Sequence, residues 1–186
     1  MKSGARVLGV AESFGAEAET STLAGAVVRA NRVVDGFAFR PCTVGGTDAT
    51  ASVVDLYRAL DREDVRYLLV AGIAPAWYNV LDLHRVHAAV DRPVLSVTFE
   101  ESEGLEPALR EAFSGDALDR RLETYRRQPA RQRLTVNGEP IFLRAVGADD
   151  ATARDVVRAV TPEGGRPEPV RVARLAARAA DEIRRA

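Results

Sequence analysis

The N-terminal half of the chain alternates short apolar runs with segments whose apolar residues recur at helical spacing. The run Arg6–Val10 is apolar and rich in β-branched residues, so it predicts a buried strand. Two further β-rich segments, Thr22–Ala30 and Val33–Cys42, flank Asn31-Arg32 and predict an antiparallel pair. The first part of the chain therefore predicts three consecutive strands.

Helical and strand patterns then alternate. The turn Val44–Asp48 precedes an apolar stripe that predicts a helix ending near Leu60, and Thr47 or Asp48 is expected to accept hydrogen bonds from its first turn. The remaining predicted elements, in chain order, are a central strand Val65–Ile73, a helix opened by Pro75 or Asn79 that stops before Asp91, a strand Pro93–Phe99 and a helix Leu105–Phe113.

The C-terminal third predicts a hairpin and two helices. Asn137-Gly138 is a strong hairpin signal between the apolar ends of Leu134–Leu143. Helical patterns follow at Asp150–Val160 and Val170–Arg185. The whole pattern predicts a single α/β domain over residues 1–186, with a mixed sheet flanked by helices. Its first three strands are expected to be antiparallel and its later ones parallel.

Composition narrows the class of protein. The chain is 46% hydrophobic with a net charge of -1, which excludes disordered and disulfide-scaffold proteins. Its one cysteine, Cys42, is expected to be a small buried apolar side chain, and a cytoplasmic location follows from the lack of a disulfide partner. No apolar run approaches the roughly 18 residues of a membrane span, so no membrane partner is expected.

The arginines are concentrated in the last third of the chain. Residues 120–186 contain 15 arginines and nine acidic residues. An arginine run that could contact phosphates comprises Arg120, Arg121, Arg126, Arg127, Arg131 and Arg133. The same run is also typical of a solvated helix face, and the sequence favours this second interpretation.

Polar residues at strand ends are the candidates for chemistry, because ligands of α/β sheets gather at the carboxyl edge. Glu12 follows the first strand, and Glu100 opens an acidic loop that is either solvated or able to offer an oxygen to Mg²⁺. Trp77, Tyr78 and Asn79 lie just beyond the central strand, where an aromatic ring could stack on a base or pack in the core. His84 and His87 share a helix face and are expected to pack rather than bind metal.

Three segments together resemble a known family. They are Val7–Phe14, Thr43–Thr50 and Gly72–Ile73 with Trp77–Leu83. In this order they resemble an archaeal family catalogued as domain of unknown function family 99, which is related to endonuclease V. The resemblance runs from about Arg6 to Phe113 and implies a ribonuclease H-like fold and an archaeal origin.

The resemblance also implies a Mg²⁺ site, because in endonuclease V-like proteins carboxylates at strand ends bind the ion that activates water. The family pattern places aspartates after the first, third and central strands. This chain has Ala11-Glu12, Gly45-Gly46 and Ala71-Gly72 at those points, so three of the matching positions carry no side-chain oxygen. Glu12 remains, together with Asp48, which could cap a helix, and Asp82, which is expected inside a helix.

Three hypotheses follow for the function. In the first, the protein keeps the fold, binds nucleic acid through Trp77, Tyr78, Asn79 and the arginine run, and has lost most or all hydrolysis with its Mg²⁺ site. In the second, it is an active Mg²⁺-dependent endonuclease of DNA or RNA with relocated ligands, Glu12, Asp48 and Glu100. In the third, it is a protein-interaction scaffold. The sequence fixes no oligomeric state.

Overall fold

A seven-stranded mixed sheet forms the centre of the computed structural model, which describes residues 1–185. Its strands are β1 (Arg6–Ser13), β2 (Thr20–Arg29), β3 (Val34–Thr43), β4 (Val65–Ala71), β5 (Val94–Thr98), β6 (Gln132–Val136) and β7 (Glu139–Val146). They lie side by side in the order β3-β2-β1-β4-β5-β7-β6.

Antiparallel and parallel pairings divide this sheet. β1, β2 and β3 form an antiparallel meander, and β1, β4 and β5 are parallel. The predicted mixed α/β sheet is therefore confirmed. The C-terminal hairpin β6–β7 extends the same sheet, because β7 pairs antiparallel with β5.

Helices cover both faces of the sheet. They are α1 (Ala49–Leu60), the short α2 (Pro75–Tyr78), α3 (Leu83–Val90), α4 (Glu106–Ala112), α5 (Gly115–Arg126), α6 (Asp150–Ala159) and α7 (Glu168–Arg185). α1 packs on β2, β3 and α3, whereas α7 lies along β1 and β2. None of the helices within residues 1–185 combines the length and apolar composition that crossing a bilayer requires.

Burial on both faces explains the apolar runs of the central strands. In β4, Leu68 and Val70 face the core beneath α1 and α3, while Leu69 faces the core that α6 and α7 cover. A strand in this position needs apolar side chains on both sides and loses the alternation of a half-exposed strand.

Gly9 sets the distance between β1 and α7. A Cβ atom placed on Gly9 would lie 2.1 Å from the carbonyl carbon of Pro169, at the start of α7. The helix backbone can approach the strand this closely only because residue 9 has no side chain.

One helix start differs from the sequence prediction. The helix expected from Pro75 or Asn79 begins instead after Asp82, whose side chain accepts a hydrogen bond from the Arg85 N–H at 3.1 Å. Asp82 is therefore a helix cap and does not lie within a helix, as its position in the apolar pattern suggested. The reason is tertiary: Leu81 N–H bonds the carbonyl of Ile73 at 2.8 Å, which holds the preceding residues out of helical geometry.

Candidate functional site

Glu12 ends the buried part of β1 at the carboxyl edge of the sheet. The Ala76 N–H faces its carboxyl group, while its Oε2 is buried and has no hydrogen-bond partner among residues 1–185. Burial raises the pKa of Glu12, and the positive charge of Arg174 partly opposes that rise. A carboxyl group with a buried free oxygen thus faces this edge.

A second carboxylate beside Glu12 was missed in the sequence. Asp181 on α7 is fully buried, and its negative charge adds to the rise in the Glu12 pKa. Both Asp181 oxygens are engaged: Oδ1 lies 2.9 Å from Arg184, and Oδ2 lies 3.2 Å from Arg185. A signal existed, because the buried positions of α7 recur at helical spacing and residue 181 continues that stripe (Val170, Ala173, Ala177, Asp181).

The segment labelled α2 is a left-handed turn and not a regular helix; it follows β4 and contacts Glu12. Ala76, Trp77 and Tyr78 have φ angles of 46°, 53° and 60°, in the left-handed region. Each such non-glycine residue costs about 1–2 kcal/mol, so the surrounding contacts must hold the turn in place. Among these contacts, the Gly45 N–H donates to the Ala76 carbonyl at 2.7 Å. No local pattern in the sequence predicts three consecutive residues in this conformation.

Asn79 and Asp48 form a buried polar network next to this turn. Asn79 is fully buried; its Nδ2 donates to Asp48 Oδ1 at 2.5 Å and its Oδ1 accepts from the Ala49 N–H at 3.0 Å. Partial burial raises the pKa of Asp48, but hydrogen bonds from Asn79 and Thr43 outweigh it and hold the pKa below its usual value. The expectation that Asp48 caps α1 through its side chain is wrong, because its carboxylate is turned back toward Thr43.

Cys42 is buried in the same network, as the sequence predicted. Burial raises the pKa of its thiol to about 12, and the neighbouring Asp48 carboxylate contributes. Its contacts are structural: Asn79 Nδ2 lies 3.3 Å from the sulfur, and the thiol approaches Asp48 Oδ1 at 3.7 Å.

An arginine-lined cleft of about 680 Å³ opens at the carboxyl ends of β4 and β5. Its wall carries six arginines, Arg131, Arg144, Arg166, Arg171, Arg174 and Arg178, and one acidic residue, Glu100. Arg171 pairs with Glu168 at 2.7 Å, whereas within residues 1–185 Arg174 and Arg178 form no ion pair. Because Arg171, Arg174 and Arg178 recur at spacings of three and four on α7, they share one face of that helix.

Aromatic rings accompany the cations of this cleft. The Arg166 guanidinium lies 4.6 Å from the Phe99 ring centroid, and Arg131 lies 4.2 Å from that of Phe142. A stacked guanidinium group presents a planar cation, and the Nη1 of Arg131 also donates to Ser102 Oγ at 2.9 Å. The cleft therefore offers both cationic and flat surfaces.

The arginine run predicted to bind nucleic acid is divided by the structure. Arg121 is buried, with its guanidinium bound to main-chain carbonyls. Arg126 pairs with Glu106 at 2.9 Å, and Arg127 pairs with Asp82 at 3.2 Å. Arg120 and Arg133 are exposed and outside any ion pair within residues 1–185. The cleft arginines come mainly from β7 and α7, later in the chain than the predicted run, although Arg131 belongs to both sets.

The other predicted site residues have different surroundings. Glu100 is exposed and lines the cleft, whereas Asp48 lies in the hydrogen-bond network with Asn79. Each histidine contacts a different main-chain carbonyl: His84 that of Arg127 at 3.1 Å, and His87 that of Arg92 at 2.8 Å. Within residues 1–185, no three His, Cys, Asp or Glu side chains converge as metal ligands.

Comparison with solved structures places the fold in the endonuclease V class. The chain superposes on a protein of unknown function from Archaeoglobus fulgidus with a TM-score of 0.83 at 25% identity, over 94% of this chain and 97% of that one. Against human ENDOV the TM-score is 0.68 at 17% identity, over 97% and 86% of the two chains. An endonuclease V of Ciona intestinalis, in complex with a 24mer DNA containing an inosine followed by a ribo-adenosine, gives 0.64 at 12% identity, over 96% and 86%. The two endonuclease V matches show similarity of fold alone.

Sequence comparison then gives the family. The protein belongs to the family described as Endonuclease dU, which matches residues 3–181. A UPF0215 protein of Pyrobaculum aerophilum is 34% identical over 178 residues, which cover 95% of this chain and 94% of the relative. A UPF0215 protein of Pyrobaculum calidifontis is 35% identical over 172 residues, or 91% and 93% of the two chains.

Proposed function

We propose that this protein binds a nucleic-acid strand along the arginine-lined cleft and across Trp77, and that it does so without metal-dependent hydrolysis. The observation that carries the proposal is the charge of the cleft, whose wall has six arginines and one acidic residue in a chain of net charge -1. Phosphates release counterions when arginines neutralise them, which favours a strand over a neutral ligand.

The position of the cleft also supports a strand. It lies at the carboxyl ends of β4 and β5, the edge where α/β sheets bind ligands. Trp77 is 49% exposed on the turn that follows β4 and contacts Glu12, so a strand that occupies the cleft could extend over its ring. The endonuclease V of Ciona intestinalis that shares this fold is in complex with DNA.

The donor set at this edge does not fit a divalent cation, and this supports a role without hydrolysis. Ala11, Gly45 and Ala71 offer no side-chain oxygen, and both Asp181 oxygens are paired with arginines. Glu12 Oε2 is buried without a partner among residues 1–185 and burial raises the pKa of that carboxyl group, while Glu100 is exposed to solvent on the cleft rim. Mg²⁺ is usually held through one or two carboxylates together with substrate phosphates.

Salt dependence of strand binding tests the proposal. Anisotropy of a fluorescent single strand of DNA, and of the same sequence in RNA, is measured between about 50 and 200 mM salt. Arg174→Ala with Arg178→Ala should weaken binding and reduce the slope of log K against log salt by about 1.4, since each phosphate contact contributes about 0.7 on a single strand. Arg58→Ala with Arg85→Ala, on the opposite face, is the matched control and should leave the slope unchanged.

An absence of binding to either strand at the lowest salt would contradict the proposal and favour the protein-interaction scaffold. Equal losses of strand affinity in the cleft variant and in the control variant would also contradict the proposal, since positive charge would then attract the strand without a defined site.

The orphaned Glu12 oxygen favours one second candidate, an active Mg²⁺-dependent endonuclease. Cleavage of inosine-containing and deoxyuridine-containing DNA, and of inosine-containing RNA, is assayed with Mg²⁺ and with Mn²⁺. Turnover that Glu12→Gln abolishes would establish this candidate and remove the non-hydrolytic part of our proposal. Binding without turnover is the result that we expect.

A further inference from the structure

Arg121 is a buried cation whose acceptors are main-chain carbonyls. Arg121 is 5% exposed, and within residues 1–185 its guanidinium forms no ion pair with a carboxylate. Burial lowers the pKa of Arg121, and the charge of neighbouring Arg120 adds to the effect. An arginine is rarely kept in such surroundings unless its hydrogen bonds hold something in place.

Three separate segments meet at this guanidinium. Its Nη2 donates to the carbonyls of Gly45 at 2.5 Å and Gly46 at 2.9 Å, in the turn after β3. Its Nε donates to the carbonyl of Tyr78 at 3.1 Å, at the end of the left-handed turn. Its Nη1 donates to Ala117 at 2.9 Å within α5. A planar fork with five donors can reach these acceptors together, whereas an ammonium group cannot.

Trp77 lies between the same segments. Its indole ring packs on Gly45, where an added Cβ would lie 2.9 Å from Cε3, and its centroid is 5.2 Å from that of Phe113. The Arg121 guanidinium also lies over the Phe113 ring, 3.8 Å from its centroid. The position of the exposed indole is therefore set by the turn that Arg121 bonds and by the ring on which Arg121 stacks.

We infer that Arg121 is a positioning residue that locks the Ala76–Tyr78 turn and thereby presents Trp77 for stacking on a base. For its binding readout this inference rests on the proposed function. For the placement of Trp77 it does not, because that placement is a property of the free protein.

The single tryptophan makes the test direct. Arg121→Met and Arg121→Lys are compared with Arg58→Met, an exposed arginine of α1 on the opposite face. Three quantities are measured for each variant: the urea midpoint, acrylamide quenching of Trp77 in the free folded protein, and affinity for the fluorescent single strand. The third is measured where at least nine tenths of the variant is folded.

In the folded Arg121→Met protein, we expect Trp77 to be quenched more readily and the strand to bind about tenfold more weakly, the order of one lost stacking contact. Arg121→Lys should recover little of either property, because it restores the charge but not the fork. If both variants fail to fold, Phe113→Leu removes the shared stacking surface and carries the same prediction.

If the Arg121 variants lose stability while Trp77 quenching and strand affinity stay unchanged, the inference is overturned, since Arg121 would then be structural only. If wild type binds no strand but Arg121→Met still alters the quenching, the proposed function fails and the positioning of Trp77 stands.

Discussion

Asn79 takes over the capping of α1 from Asp48, the residue that occupies the cap position. The Asn79 Oδ1 accepts the Ala49 N–H at 3.0 Å, while its Nδ2 fixes Asp48 Oδ1 at 2.5 Å and the carbonyl of Thr43 at 2.9 Å. A residue that follows the strained turn after β4 thus closes the first turn of a helix 30 positions earlier in the chain. The side-chain amide of Asn79 thus joins the loop after β3 to the turn after β4.

Replacement of Asn79 should therefore destabilise the whole protein. Asn79→Ala leaves the Ala49 N–H and the Thr43 carbonyl without partners in a buried setting, which costs about 2–4 kcal/mol of unfolding free energy. Urea denaturation measures the loss. Asn31→Ala, in the exposed hairpin turn, is the control and should change stability by less than about 0.5 kcal/mol. Similar losses in both variants would show that the network contributes nothing specific.

Cys42 should be almost inert in the folded protein. With the pKa of its thiol raised to about 12, the thiolate fraction at about pH 8 is roughly three orders of magnitude below that of a free cysteine. Labelling with a thiol-specific disulfide reagent should be very slow in buffer and rapid after unfolding in urea. Labelling of the folded protein as fast as the unfolded chain would contradict the burial of this thiol.

The raised pKa of Glu12 predicts how stability varies with pH. Burial makes the folded protein hold the proton of the Glu12 carboxyl group more tightly than the unfolded chain does. The protonated carboxyl group therefore contributes its full share to the unfolding free energy below its ordinary pKa of 4.5. This contribution is lost as the pH rises through the folded value. Glu12→Gln cannot lose the proton, so the variant should become more stable relative to wild type as the pH is raised from 4.5 toward neutrality.

Urea midpoints across that range measure this difference. Glu17→Gln, at an exposed carboxyl group in the loop after β1, is the matched control and should show no such trend. A difference between Glu12→Gln and wild type that does not change with pH would mean that the Glu12 carboxyl group is ionised equally in the folded and unfolded states.

The sheet could be predicted from the sequence because its strands are specified by local patterns. The apolar run around Leu68 and the turn signals Asn31-Arg32 and Asn137-Gly138 each require only neighbouring residues, and the structure has strands where they indicate. Helix starts were predicted less well. Whether the side chains of Asp48 and Asp82 cap a helix depends on contacts with residues such as Asn79 and Ile73, which no local pattern contains.

The candidate site was predictable only in part, for the same reason. Glu12 and Trp77 follow strands, so topology alone brings them to the carboxyl edge. Charge counts could not separate buried from exposed arginines, because Arg121 is buried by carbonyls of two distant loops and the exposure of Arg174 depends on which face of α7 meets the sheet. Asp181 lies in a charged helix end, where an acidic residue is usual, so its place in the buried stripe of α7 is the signal that marks it.

Gly9 provides a final prediction that links packing to binding. Gly9→Ala would place a methyl group 2.1 Å from the Pro169 main chain, so α7 must move away from β1 at a cost of about 1–3 kcal/mol. Because α7 carries Arg174 and Arg178, the folded fraction should also bind the single strand more weakly. Gly36→Ala, where the added methyl meets nothing within 4 Å, should change stability by less than about 1 kcal/mol and leave binding intact. A Gly9→Ala protein with the stability and affinity of wild type would show that α7 does not depend on this close approach.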